Sequence, residues 1–167
     1  QSEIRHIAIE GVIGAGKTTL AKMLADQLPA KLVLEKFEEN PFLGKFYEDQ
    51  DHYAFQTQLF FLLSRYQQQQ EIAQIDLFTN LVVADYHFPK DKIFACLNLD
   101  DSELLIYDRL YTLLSESVRR PDLVIYLQAR DSVLMDRIRS RHRNYEREIS
   151  EAYVAELNRA YNYFFFH

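Results

Sequence analysis

The sequence predicts one α/β domain, residues 1–167, built on a parallel sheet with helices on both of its faces. Three observations lead there. Four short β-branched or apolar runs, HIAIE (6–10), KLVLE (31–35), LVVAD (81–85) and LVIYL (123–127), are bounded by turn or cap residues and have the length of buried strands. Helical patterns separate and follow them, over residues 17–28, 53–75, 102–118, 132–140 and 151 to the end. The length, 167 residues, is that of one core, and with only 4 Gly and 4 Pro no interdomain linker is visible.

Composition narrows the class of partner. A formal net charge of −6 disfavours a nucleic-acid or anionic-membrane surface, which would be held by dispersed Lys and Arg. No window approaches the roughly 18 apolar residues of a membrane helix, and the start QSEIRHIAIEG lacks a signal-peptide core. The single cysteine, Cys96, lies in the apolar run IFACL and reads as a small core residue, consistent with a reducing, cytoplasmic setting. The chain starts without Met and stops inside YNYFFFH, so the expectation is a C-terminally trimmed version of a longer chain.

The first strand runs into GVIGAGKTTLAKML, which fits GxxxxGK[ST] with Gly11, Gly16, Lys17 and Thr18 in strand, loop, helix order. Glycines let successive backbone N–H groups curl round a phosphate at a helix N-terminus, so the phosphate-binding set is Gly11, Gly14, Ala15, Gly16, Lys17, Thr18 and Thr19. Lys17 reaches the outer phosphates and the Thr18 hydroxyl is a ligand for Mg²⁺. A nucleoside triphosphate and Mg²⁺ are implied, and no NKxD-like guanine-reading sequence follows a later strand.

The second run ends at Glu35 and the third at Asp85. Carboxyl ends of parallel strands share one crevice, so both acids are expected beside the transferred phosphate. One would take a hydroxyl proton and the other would hold Mg²⁺ or its water. Asp101 and Asp131 are the expected N-caps of the third and fourth helices.

The blocks IEGVIGAGKTTLAKMLA, LEKFEENPFLGKFYED, YAFQTQLFFLLSRYQQQ, VVADYHFPKDKIFA, PDLVIYLQA and RIRSRHRNYERE, in that order, resemble the deoxyribonucleoside kinases, the bacterial branch most. The resemblance implies a P-loop kinase fold whose fifth strand and adenine-gripping loop would lie beyond residue 167. It implies transfer of the γ-phosphate of ATP to the 5′-hydroxyl of a deoxyribonucleoside, with Glu35 as base and Asp85 on the metal. Tyr47 and Glu146 match the pair that hold the 3′-hydroxyl, and Gln58, Arg65 and Asp91 match the base-reading set. Gln58 and Arg65, seven apart, share a face of the long helix, and an amide offers donor and acceptor together. An acid with an Arg and a Gln leans towards bases with exchangeable donors over thymine, and purine deoxynucleosides are the first choice. Phe42, Phe46, Tyr53 and Phe55 could supply a stacking wall, though each reads equally well as core. A homodimer through a helical face is expected by analogy.

One departure stands out: where the family usually has Arg after the strand-three acid, this chain has Tyr86, then His87, the latter read as a local hydrogen-bonding residue. The missing Arg disfavours an acceptor that already carries a phosphate, as in a thymidylate-like kinase. A P-loop module that binds ATP without transferring phosphate is the other alternative.

RIRSRHRNYERE places five arginines within eleven positions of an acidic chain. By the resemblance it belongs to a lid, residues 137–149, with Arg137, Arg141 and Arg143 directed at phosphate and Arg137 and Arg141 active in transfer. A guanidinium fork suits phosphate oxygens. The competing reading is a solvated helix with pairs to Glu146 and Glu148, preferred for Arg139 and Arg147.

Overall fold

The strands of the computed structural model are β1 (His6–Gly11), β2 (Lys31–Val33), β3 (Val82–Ala84) and β4 (Leu123–Leu127). They form one parallel sheet in the order β2-β3-β1-β4, with Ile7 opposite both Val83 and Leu123, and Val83 opposite Leu32. The structure describes residues 4–75 and 80–167, so the first three residues of the stretch read for a signal peptide lie outside it. β1 and β3 are buried throughout, whereas β2 and β4 are partly exposed. The expectation of four buried strands therefore holds for the inner pair, since outer strands have a neighbour on one side only among the described residues. β2 and β3 are also shorter than expected. Glu35 and Asp85 stand just past their ends, on the loops facing the crevice.

Seven α-helices occur among the described residues: α1 (Lys17–Gln27), α2 (Leu43–Glu48), α3 (Gln50–Ile75), α4 (Lys90–Asn98), α5 (Asp101–Ser115), α6 (Asp131–Ser140) and α7 (Glu151–Phe166). Side-chain alternation along β1 sends Ile7 and Ile9 to one face, where they pack with Val83 against Ala21 of α1. On the other face Ile72 of α3 packs with Val82 and Ala84. The sheet is thus covered on both faces, and the loops after the adjacent inner strands β1 and β3 open a crevice at their carboxyl ends.

Two helices were not foreseen. α2 has six residues, too few to show a 3.6-residue period. α4 hides in FPKDKIFACLN, where Pro89 occupies the position before the first helical residue with φ −60°, preset for a helix start. Because IFACL is helical, its side chains rotate by about 100° per residue, and Cys96 is exposed rather than core. The caps also shift by one. Asp100, not Asp101, caps α5 in a capping box with Glu103. Arg130 occupies the cap position of α6, and the Asp131 carboxylate instead accepts from Asn158 Nδ2 at 2.6 Å.

His6, on the α3 side of β1, is buried, and neither ring nitrogen has a hydrogen-bond partner among the described residues. Burial lowers its pKa to about 4, with Asp122 opposing and Arg119 reinforcing the shift. The unfolded chain takes up this proton near pH 6.5 and the folded chain only near pH 4, so stability is lost as pH falls between those values. Denaturant titrations at pH 7.5 and 4.5 are expected to show about 2–3 kcal/mol more acid destabilisation in the wild type than in His6→Gln. Equal losses would rule out His6 as the source.

Candidate active site

The loop joining β1 to α1 closes tightly, with Ala15 N–H donating to the Val12 carbonyl at 2.9 Å. Two of its glycines are required by contact. A Cβ on Gly11 would stand 2.6 Å from the Leu127 carbonyl oxygen, and one on Gly14, where φ is +86°, would stand 3.0 Å from that of Leu134. Lys17 leads α1 and folds back over the loop, its Nζ donating to the carbonyls of Gly11 (2.7 Å) and Val12 (3.2 Å). Burial and the neighbouring Lys90 lower its pKa to about 8, against the pull of Glu10, Glu35 and Asp85. Glu10, at the end of β1, is fully buried and accepts from the backbone N–H of Gly11 (3.0 Å) and of His87 (2.9 Å), tying the loop after β1 to the loop after β3.

Thr18 and Asp85 meet directly. The Thr18 hydroxyl donates to Asp85 Oδ2 at 2.6 Å, and the other oxygen, Oδ1, accepts the backbone N–H of Glu35 at 2.7 Å. That second bond fixes Glu35 although it lies beyond β2. A hydroxyl and a carboxylate together are an oxygen donor set suited to Mg²⁺, which takes few protein ligands and fills its shell with phosphate and water.

Glu35 is the centre of a buried ionic cluster. Its Oε1 accepts from Arg65 Nε (2.7 Å) and Nη2 (2.6 Å), and its Oε2 from Lys90 Nζ (2.8 Å). Burial pushes its pKa up, but the two cations outweigh burial and hold the carboxyl well below the usual carboxylate range. Arg65 Nη1 reaches Asp91, whose other oxygen takes the Tyr107 hydroxyl, and Gln58 Nε2 donates to the Asp91 backbone carbonyl at 3.0 Å.

One cavity gathers much of the expected set: Gly14, Lys17, Thr18, Glu35, Tyr47, Arg65, Asp85, Arg141, Arg143 and Glu146 all line it. Gly11, Ala15, Gly16 and Thr19 of the phosphate loop, and Gln58, Asp91 and Arg137, stand outside its lining. Gln58 and Asp91 are buried behind Arg65. Arg137 Nη1 donates to the carbonyls of Gly14 (3.3 Å) and Ala15 (3.2 Å), clasping the phosphate loop from outside. Across the mouth, Glu146 Oε1 accepts from Arg141 Nη2 (3.0 Å) and Arg143 Nη1 (3.5 Å). Burial raises the Glu146 pKa against those two charges and lowers that of Arg141. α6 ends at Ser140, and His142, at φ +51°, turns the chain so that Arg143 and Glu146 follow Arg141 over the crevice. Arg139 and Arg147 are exposed, as read from the sequence, but the expected helical pairs to Glu146 and Glu148 are not the ones seen: Arg139 pairs with Glu151, and Arg147 lies beyond the end of α6.

The aromatic lining is Phe37, Phe61, Phe94 and Tyr145 together with Tyr47, whereas Phe46 belongs to the core. Tyr86 is buried, its hydroxyl accepting from Gln69 at 3.2 Å, and the His87 ring is offset from the crevice with Nδ1 unpartnered among the described residues. Lys90, the first residue of α4, places a cation beside Glu35. Sequence reasoning passed over Lys90, although a proline directly before it marks a helix start near the strand-three acid.

Comparison with known proteins agrees with this arrangement. A family model described as deoxynucleoside kinase matches residues 7–167. The chain is 40% identical over 152 residues to a deoxyguanosine kinase of Bacillus subtilis (strain 168), covering 90% of this chain and 73% of that protein. It is 41% identical over 164 residues to a deoxyadenosine kinase of Dictyostelium discoideum, covering 95% of this chain and 66% of that protein. The structure of deoxyadenosine kinase from M. mycoides with bound dATP superposes with a TM-score of 0.85 at 27% identity, over 98% of this chain and 84% of that one. The phosphate loop, the buried strand-end acids and the match along nearly the whole sequence together make the chain a member of the deoxynucleoside kinase family.

Proposed function

We propose that the chain transfers the γ-phosphate of ATP to the 5′-hydroxyl of a purine deoxyribonucleoside. The observation that carries this reading is Glu35, held between Arg65 and Lys90 in the cavity that also contains Lys17 and the Thr18–Asp85 pair. The backbone N–H groups of Gly14, Gly16, Thr18 and Thr19 and the Lys17 ammonium hold the triphosphate, while Gly11 and Ala15, whose N–H groups are given to Glu10 and to the Val12 carbonyl, shape the loop. Thr18 and Asp85 hold Mg²⁺, which when bound neutralises charge on the phosphates. Glu35 orients the acceptor hydroxyl and takes its proton. Tyr47 and Glu146 bind the sugar 3′-hydroxyl.

Arg65, with Asp91 and Gln58 behind it, sets the edge presented to the base. Arg137 keeps the phosphate loop in shape, and Arg141 and Arg143 are poised to exchange Glu146 for phosphate oxygens as residues 137–149 close. The names of the deoxyguanosine and deoxyadenosine kinase relatives support the purine assignment. An exposed apolar strip of Leu105, Ile106, Leu110 and Leu113 on α5 supports a homodimer. No helix of the described residues is long and apolar enough to cross a membrane. The single cysteine, exposed and free, supports a reducing, cytoplasmic setting.

A panel of dA, dG, dC, thymidine, ribonucleosides and dTMP as acceptors tests the reading, with transfer to dG or dA expected at the highest kcat/KM. Preferred transfer to dTMP would replace it with a monophosphate kinase, and no transfer to any acceptor would leave an ATP-binding module.

A further inference from the structure

We propose that Lys90 is a second triphosphate-directed lysine, which leaves Glu35 for the γ-phosphoryl oxygens when the donor seats; this rests on the kinase reading above. Its Nζ is 2.8 Å from Glu35 Oε2, it is buried, and it lines the same cavity as Lys17, Thr18 and Asp85. Its charge acts on Lys17, Glu10 and Glu35 at once, placing the ammonium between the phosphate loop and the acceptor-side acid.

Three features make it the group that moves. Lys90 uses only Oε2 of Glu35, while Arg65 donates twice to Oε1, so Glu35 keeps a buried partner when Lys90 departs. Lys90 is the first residue of α4, where the positive end of the helix dipole disfavours a cation, so an incoming anion competes well for it. A lysine ammonium is a point charge with three donors on a flexible four-carbon stem, whereas Arg65 is pinned by two carboxylates.

The chemistry balances without a proton on or off Lys90. The acceptor oxygen forms its bond to the γ-phosphorus as the bond from that phosphorus to the β–γ bridging oxygen breaks. The electron pair of the broken bond stays on the ADP oxygen, and the hydroxyl proton passes to Glu35. Lys90 stays an ammonium throughout and offsets charge on the equatorial oxygens. Its departure also removes one of the two cations that hold Glu35 ionised, as the acceptor proton is taken.

The test compares affinities for AMPPNP and ADP, each with Mg²⁺, in the wild type, Lys90→Met and Lys90→Arg, with unfolding curves as a fold control. Lys90→Met is expected to weaken AMPPNP roughly ten- to a hundredfold while ADP changes by less than about threefold, the range of one charge-assisted hydrogen bond. In turnover, kcat falls while the nucleoside KM holds, and Lys90→Arg recovers most of the triphosphate preference. Equal weakening of both nucleotides, or no weakening, overturns the proposal and leaves Lys90 as a structural partner of Glu35. Should Lys90→Met not fold, Lys90→Gln is read in the same way. The affinity ratio needs no turnover, so an unproductive acceptor panel would sink the kinase reading while this ratio still decides Lys90.

Discussion

Replacing Glu35 by Gln is expected to lower turnover by about 10²- to 10⁴-fold, the range of a removed general base, while nucleoside affinity stays within a few-fold. The amide oxygen still accepts from Arg65, but the amide N–H₂ is a donor and cannot accept from Lys90, so the proton acceptor and the Lys90 contact are lost together while the Arg65 contact holds the side chain in place. A carboxylate held as low as Glu35 by two cations is a weak base in the arrangement seen here. Phosphoryl transfer tolerates this, because in a loose transition state the acceptor proton is lost late, after the bond to the leaving oxygen has largely broken. On the proposed mechanism the first duty of Glu35 would then be to aim the hydroxyl, and the second to take the proton. Steady-state kinetics on the preferred deoxynucleoside, with calorimetric binding of the same nucleoside, separates the two. Near-normal turnover in Glu35→Gln would move the base role to Asp85, which is joined to it through the Glu35 backbone N–H.

The order of elements was legible because hydrophobic period and turn chemistry carry most of a parallel α/β fold. GVIGAGKTT announced its loop through glycines that no larger residue can replace, as the contacts of Gly11 and Gly14 with neighbouring carbonyls show. Two acids at strand ends were enough to place Glu35 and Asp85 in one crevice. What stayed hidden was the pairing inside the site. A sequence does not say that Arg65 of α3 divides its fork between Glu35 and Asp91, because the three residues lie 26 to 56 positions apart along the chain and meet only through packing of α3 on α4. Lys90 was hidden for a different reason: its helix is short and begins inside a run that reads as loop. Cys96 was misplaced through the same unrecognised helix, since an apolar run without an assigned period gives no face. Glu10 was noticed as a strand end but not as the carboxylate that ties the loop after β1 to the loop after β3.

Arg65→Met is expected to be the most destabilising single change in the site, by about 3–5 kcal/mol, because it leaves the buried Asp91 with no cation and takes from Glu35 one of its two. Glu35 would retain Lys90 and Asp91 would retain only the Tyr107 hydroxyl and the amide-braced α4 backbone around it. For a chain of this size that loss corresponds to a fall in Tm on the order of 10 °C. Lysine cannot stand in, since one ammonium does not span the two acids that the guanidinium joins. The ionic origin of the loss is checked by adding Asp91→Asn to Arg65→Met: an uncharged amide removes the stranded charge, so the double variant is expected to unfold at a higher temperature than Arg65→Met alone. If it unfolds lower, Arg65 acts through packing against the Phe61 and Phe94 rings, which lie 4.6 and 6.0 Å from its guanidinium carbon, and the carboxylates are bystanders. Activity in the double variant gives a second reading of the same cluster. Recovery of stability without recovery of turnover would mean that the Arg65 charge is needed to hold Glu35 on the acceptor hydroxyl as well as to keep the fold.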